Sequence, residues 1–261
     1  MKRTACLTLA TLALAAIAVA QQAPPPQRIM VTVTQIKPEM VQAYQSLIRD
    51  EGIPAYKKAG TPWRNVFANV PFSGTGFTYT TVTPITSYAQ FDTLEGPIVR
   101  ALGADAAAKY NARLRAMILH QESTAATLQQ NLSIVSNSST PAPFVVVQTL
   151  QPLPGRGLEY NAIIEKEYLP LYKKAGITDF WFYINNFGTV QSALTVRPIG
   201  KLAELDQPNP LGQAAIKALG AEAAQKLNQR RDALLRTIGP TEVQRFMPDM
   251  SFGMPTTKPT P

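Results

Sequence analysis

One stretch of ten residues is written twice in this chain, as EGIPAYKKAG from Glu51 to Gly60 and as EYLPLYKKAG from Glu167 to Gly176. The copies stand 116 residues apart, and the same displacement places Val31 on Val147, Pro38 on Pro154, Tyr44 on Tyr160 and Ile48 on Ile164. After a short insertion the displacement becomes 117, and ALGADAAAKYNAR (Ala101–Arg113) lies on ALGAEAAQKLNQR (Ala218–Arg230), nine of thirteen identical. The repeated object is therefore about 105 residues long, the size of a domain rather than of a motif.

Each half runs through one order of patterns. RIMVTVTQI and FVVVQTLQP, rich in β-branched residues and closed by a proline-containing turn, predict opening strands. Met40, Tyr44, Leu47, Ile48 and Glu51 then recur at three- and four-residue steps, as do Tyr160, Ile163, Ile164, Glu167 and Leu171, which predicts a helix in each half. Gly60 and Gly176 end these helices where a left-handed residue is wanted. Two strands follow, WRNVFANV with GFTYTTVT and DFWFYINN with TVQSALTV, joined by the hairpin-like turns PFSGTG and FG. An alanine-rich helix is expected from Ala104 to about Leu128 and from Ala221 to about Ile238, with NLSIV and TEVQRF as short last strands. The order is βαββαβ, an α+β fold of two tandem ferredoxin-like units, residues 28–135 and 144–250. SNSSTPAP (136–143) reads as a linker and 251–261, ending in PTTKPTP, as a disordered tail.

Residues 1–20 stand apart from these cores. Lys2 and Arg3 precede an apolar run, and Ala18, Val19 and Ala20 form a small-x-small cleavage site, which predicts an export signal and a periplasmic or extracellular mature protein. The run is shorter than the ~20 residues of a spanning helix, so no membrane anchor is expected to remain after cleavage. Cys6, the one cysteine, lies within the signal, which leaves the mature chain without disulfides, thiolate catalysis or cysteine-held metals. Without Lys2 and Arg3 there remain 23 Lys and Arg against 17 Asp and Glu, a net +6, of which +3 falls in residues 28–135 and +2 in 144–250. Nucleic-acid binding calls for a clustered basic face with interleaved aromatics, and none is written here.

The βαββαβ order, the unit length and the P-x-Y-K-K-A-G ending of the first helix resemble the dimeric α/β-barrel superfamily, which includes antibiotic-biosynthesis monooxygenases, EthD-like and NIPSNAP proteins. The resemblance implies that the sheets of the two units meet in a pseudo-twofold barrel within one chain, with no second copy needed. A sheet covered by helices on one side leaves its other face wanting a partner, and duplication supplies one covalently.

The repeated stretch supplies the first candidate site residues. Pro54 and Pro170 interrupt their helices and are expected to kink them. Tyr56 and Tyr172 then pack at the helix ends, while Lys57, Lys58, Lys173 and Lys174 either cap the last turns or converge on an anion. Glu51 and Glu167 lie on the apolar stripe with Tyr44 and Tyr160, where a lone carboxylate is costly unless paired. Arg113 and Arg230 on the last helices are the expected partners. Each pair is either a structural ion pair or a pocket carboxylate between sheet and helices, the place where the resemblance puts a substrate. Asn69 and Asn185, at the ends of the second strands, either orient a ligand carbonyl or begin a turn.

Trp63, Phe67, Tyr79, Trp181 and Tyr183 make the hairpin strands aromatic and belong either to the core or to a pocket wall. His120, the only histidine, has no repeat partner, since Thr237 stands in its place; neither haem ligation nor a Ser-His-Asp triad is expected from it. Zinc ligands are lacking, and SGTG (Ser73–Gly76) leads into a strand, so it is a turn rather than a phosphate loop. The expected function is an exported module, without metal or cofactor, that binds a small, largely apolar or aromatic molecule between sheet and helices or serves as a scaffold. The alternative is a cofactor-independent monooxygenase or isomerase, as the resemblance implies.

Overall fold

The computed structural model describes residues 27–93, 95–136, 141–187 and 192–253. The expected signal, residues 1–20, lies outside the described residues, as do 137–140 of the linker and 254–261 of the tail. The first half runs β1 (Arg28–Ile36), α1 (Val41–Leu47), α2 (Ile53–Lys58), β2 (Asn65–Asn69), β3 (Thr78–Ile85), α3 (Pro97–Leu102), α4 (Ala104–Met117) and β4 (Ile118–Leu128). The second runs β5 (Phe144–Pro152), α5 (Gly157–Ile163), α6 (Leu169–Lys174), β6 (Trp181–Asn185), β7 (Ala193–Ile199), α7 (Pro210–Leu219), α8 (Ala221–Asp232) and β8 (Leu235–Phe246).

The eight strands close into one antiparallel barrel in the order β1-β3-β2-β8-β5-β7-β6-β4. β1 is the spine of the first half, pairing along most of its length with β3 and with β4. β5 holds the same place in the second half, between β7 and β8. Two short seams complete the circle, β2 with β8 around Phe67↔Phe246 and β4 with β6 around Leu128↔Tyr183. Closure removes every sheet edge, so all strands are paired on both sides.

Alternation along the strands divides two environments. Outward residues such as Ile36, Val66 and Tyr79 meet Tyr44, Leu47, Ile48 and Tyr110 from the helices in one core. Leu150, Phe180 and Phe182 meet Tyr160, Ile163, Tyr168, Tyr172 and Leu227 in the other. Inward residues face only one another across the barrel.

The first helices keep their expected extent with one change of geometry. Ile48–Gly52 and Ile164–Tyr168 are π-turns, in which the Ile53 and Leu169 amides donate five residues back to the Ile48 and Ile164 carbonyls. Each widened turn falls immediately before Pro54 or Pro170, whose missing amide would otherwise break the ladder. Gly60 and Gly176 do take the left-handed conformation, each at φ 78°.

The last helix of each half is shorter than its composition predicts. α4 stops at Met117 and α8 at Asp232, and residues expected to extend them form β4 and β8. Good helix formers such as Leu119, Gln121 and Glu122 are drawn into a strand because β1 offers a nearly nine-residue ladder to pair with. NLSIV is correspondingly not the closing strand, and contributes only the bridge Ile134↔Phe180.

Candidate functional site

The barrel encloses a cavity of about 650 Å3. Eight-stranded barrels are either filled by their own side chains or left with room for one small ligand. Here the inward positions are mostly short: Ile29, Val31 and Val33 on β1, Val82 on β3, Val145, Val147 and Thr149 on β5, Val196 on β7. β-branched residues suit the strands, yet they are too small to meet across the lumen. Larger aromatic walls come from Trp63, Phe67, Trp181 and Tyr183. The chain has two tryptophans, so both border this one space.

Strand register orders the walls into rows. Trp181↔Val196, Val196↔Val147 and Val147↔Glu242 run across β6, β7, β5 and β8. Asn65↔Val82 and Val82↔Val31 form the corresponding row of the first half.

A few polar groups interrupt the apolar wall. The Gln244 side-chain amide donates to Thr80 Oγ1 at 3.1 Å and to Glu242 Oε2 at 3.2 Å. Asn69 donates to the Thr75 carbonyl at 3.2 Å. Asn65 is 7% exposed, and its Oδ1, like that of Asn69, has no hydrogen-bond donor. An orphaned buried carbonyl is costly, so these amides are groups that a ligand donor would satisfy. The Tyr183 hydroxyl has no side-chain partner among the described residues, and burial pushes its phenol well above the ordinary tyrosine range, which keeps the hydroxyl protonated and able to donate.

Toward the rim, His120 Nε2 stands 3.9 Å from Glu122 Oε2, both well exposed. Asp179 accepts from the Ser136 amide at 3.0 Å and the Trp181 indole at 3.3 Å, which fixes that ring in the wall. Among the described residues no cluster of three or more His, Cys, Asp or Glu side chains is placed to hold a metal. No described helix is long and apolar enough to cross a membrane.

The residues singled out in the sequence fall largely elsewhere. Arg113 grips both carboxylate oxygens of Glu51, one at 2.8 Å, and Arg230 grips Glu167 at 2.9 and 2.8 Å. The pairs tie the first helix of each half to the last, but on the outside of the barrel: the Glu51 and Glu167 side chains are 43% and 35% exposed. They border the apolar stripe instead of lying within it. Tyr44 and Tyr160 are buried core residues, Tyr44 against Tyr79 and Tyr160 against Phe182.

The expected pocket between sheet and helices is thus occupied by packed side chains, and the open volume lies on the opposite face of the sheet. Of Glu51, Arg113, Tyr44, Asn69 and their counterparts in the second half only Asn69 reaches it, while Asn185 donates to Ser192 Oγ at 2.7 Å and borders a separate hollow beside β4. Lys57, Lys58, Lys173 and Lys174 are exposed and border neither space. His120 belongs to a strand at the rim rather than to a helix. Trp63, Phe67, Trp181 and Tyr183 take the pocket-wall alternative, and Tyr79 takes the core one, its hydroxyl accepting from Gln45 at 2.8 Å.

Asn65, Glu242 and Gln244 were not singled out as site residues from the chain alone. Their signal is the alternation of polar and apolar residues in NVFAN and TEVQRF, which also describes an ordinary solvent-facing strand.

No known family profile and no curated protein sequence matches the chain. Solved structures do. A proposed monooxygenase from Fusobacterium nucleatum is similar over 88% of this chain and 98% of its own, with a TM-score of 0.51 and 10% identity. An anthrone oxidase-like protein is similar over 85% and 91%, at TM-score 0.55 and 9% identity. A chlorite dismutase variant from Candidatus Nitrospira defluvii is similar over 85% and 92%, at TM-score 0.53 and 11% identity. At these identities the likeness is one of fold alone.

Proposed function

We propose that the protein binds a small, largely apolar aromatic molecule inside the barrel lumen. The observation that carries this reading is the cavity of about 650 Å3 walled by Trp63, Phe67, Trp181 and Tyr183. Its size is that of ordinary small-molecule sites, and its few polar groups supply orientation more than affinity. In this reading the chain is two tandem ferredoxin-like units about a pseudo-twofold axis, exported by residues 1–20 and working as a single-chain barrel. The repeated order β4-β1-β3-β2 and β8-β5-β7-β6 supports the duplication, and the barrel exists to make a lumen that neither half encloses alone.

Calorimetric titration with naphthylmethanol tests it. Wild type binds saturably, and Val147→Phe, which places a ring in the lumen, binds at least about tenfold more weakly while keeping its thermal stability. Equal binding by both proteins would put the ligand outside the barrel.

A second reading, a cofactor-independent monooxygenase or isomerase, has one specific observation in its favour. Glu242 is a half-buried carboxylate in the cavity wall with no Lys or Arg partner among the described residues, and so offers the base that Glu51 and Glu167, held by arginines, do not. The structural neighbours named as monooxygenase and anthrone oxidase-like support it through fold alone. Consumption of oxygen in the presence of an anthrone, abolished by Glu242→Gln with binding retained, is the outcome it predicts.

A further inference from the structure

The chain is strongly basic, with a formal charge of +8, yet its lumen is not. Among the described residues that border the cavity the carboxylates are Glu122, Asp179 and Glu242, with the imidazole of His120 beside them, and none is a lysine or arginine. We infer that the lumen, taken as the ligand site proposed above, selects an aromatic molecule carrying a protonated amine over its neutral or anionic counterpart.

Three observations converge on that choice. Asp179 is engaged by the Trp181 indole and the Ser136 amide, and Glu122 is at the exposed rim, which leaves Glu242 as the carboxylate set in the wall. Its one polar contact among the described residues is the Gln244 amide at 3.2 Å, which is too little to neutralise it. Second, Glu242 closes the row that begins at Trp181 and passes through Val196 and Val147. With strands ~4.8 Å apart, the row is about 14 Å long and curves around the lumen, so a two-ring molecule against the indole can extend an ammonium toward the carboxylate. Indole faces themselves attract cations, so both ends of the row favour the same charge.

Third, the Asn65 amide, 93% buried at the cavity wall, has an Oδ1 without a donor, a group that an N–H can satisfy and a carboxylate cannot. An anion would lose its water and meet carboxylates without a cation to receive it.

The test is calorimetric titration of the full mature protein with three probes that share one ring system: naphthylmethylamine, naphthylmethanol and naphthoate. The inference expects the ammonium to bind about tenfold or more tightly than the alcohol, and the carboxylate more weakly than either. Raising salt weakens the ammonium alone. Glu242→Gln removes the ammonium's advantage, so that ammonium and alcohol bind that variant alike, and the control Glu122→Gln at the solvated rim has a smaller effect. The inference is overturned if the ammonium and alcohol bind equally to wild type, if naphthoate binds as well as the ammonium, or if the preference survives in Glu242→Gln. Failure of all three probes to bind wild type is a different result, because it removes the lumen as a ligand site altogether.

Discussion

Gly52 and Tyr110 fill one space between them: a Cβ added to Gly52 would stand 2.8 Å from the Tyr110 hydroxyl oxygen. In the second half the bulk is on the other partner. Displacement by 116 and 117 residues puts Tyr168 at the place of Gly52 and Leu227 at that of Tyr110. Tyr168 is buried there and donates to Asn228 Oδ1 at 2.6 Å. The two halves thus place the tyrosine of this layer on opposite helices, on the last helix in the first half and beside the first helix in the second.

Gly52→Ala therefore destabilises the protein by about 1–3 kcal/mol through overpacking, even though alanine is the better helix former. In a Tyr110→Leu background the same substitution costs less. A double-mutant cycle by urea denaturation measures the coupling, and additive costs would mean that the two residues do not share the space.

Glu51 and Glu167 behave as surface groups. Glu51→Gln and Glu167→Gln each shift the melting temperature by no more than about 2 °C, and neither changes binding in the lumen. Hydrogen bonding from Arg113 holds the Glu51 carboxyl below its ordinary pKa. A depressed folded pKa contributes stability above the unfolded value and loses it as pH falls through the folded one. The small deficit of Glu51→Gln is accordingly present at neutral pH and fades in acid. Thermal unfolding at both conditions checks the sign.

Alkali acts through the buried phenols. Burial pushes Tyr44 up to about 12 and raises Tyr110, Tyr160 and Tyr172 in the same way. For an acid with a raised folded pKa the contribution is complete below the unfolded value, here 10.0, and is lost as pH rises through the folded one. Stability falls steadily above that point, and an ultraviolet titration shows these tyrosines ionising only with unfolding. Complete, reversible ionisation of all nine tyrosines in the folded protein would contradict this.

Arg64 is a buried cation, 3% exposed, where the second half has Phe180. It donates to the Met250 carbonyl at 2.8 Å and to Thr81 Oγ1 at 3.3 Å, and lies 5.2 Å from the Tyr56 ring centroid. Arg64→Ala leaves that carbonyl unpaired beside a void and costs about 2–4 kcal/mol. The adjoining Arg64↔Phe252 bridge loosens with it, so amide exchange at Phe252 quickens more than exchange at Phe182 on the far side.

The features legible in the sequence were local or repeated. The glycine stops at Gly60 and Gly176 need only their own backbone, and the arginine partners of Glu51 and Glu167 follow from two helices that must pack in both halves. The end of α4 was not legible, because Met117 to Glu122 carries helix formers and yields to a ladder that only β1 provides. The place of the site was hidden for a similar reason. Alternation tells that Trp181 and Tyr183 share a face but not which face, and barrel closure alone makes that face a lumen.

Because Trp63 and Trp181 are the only tryptophans and both border the cavity, intrinsic fluorescence reports on the lumen directly. The measurement is a titration of wild type and Val147→Phe with a naphthoquinone, a quencher of indole emission. Saturable quenching in wild type, absent from an equally stable Val147→Phe, is the result this account predicts. Quenching that is linear in quencher and identical in the two proteins would contradict it.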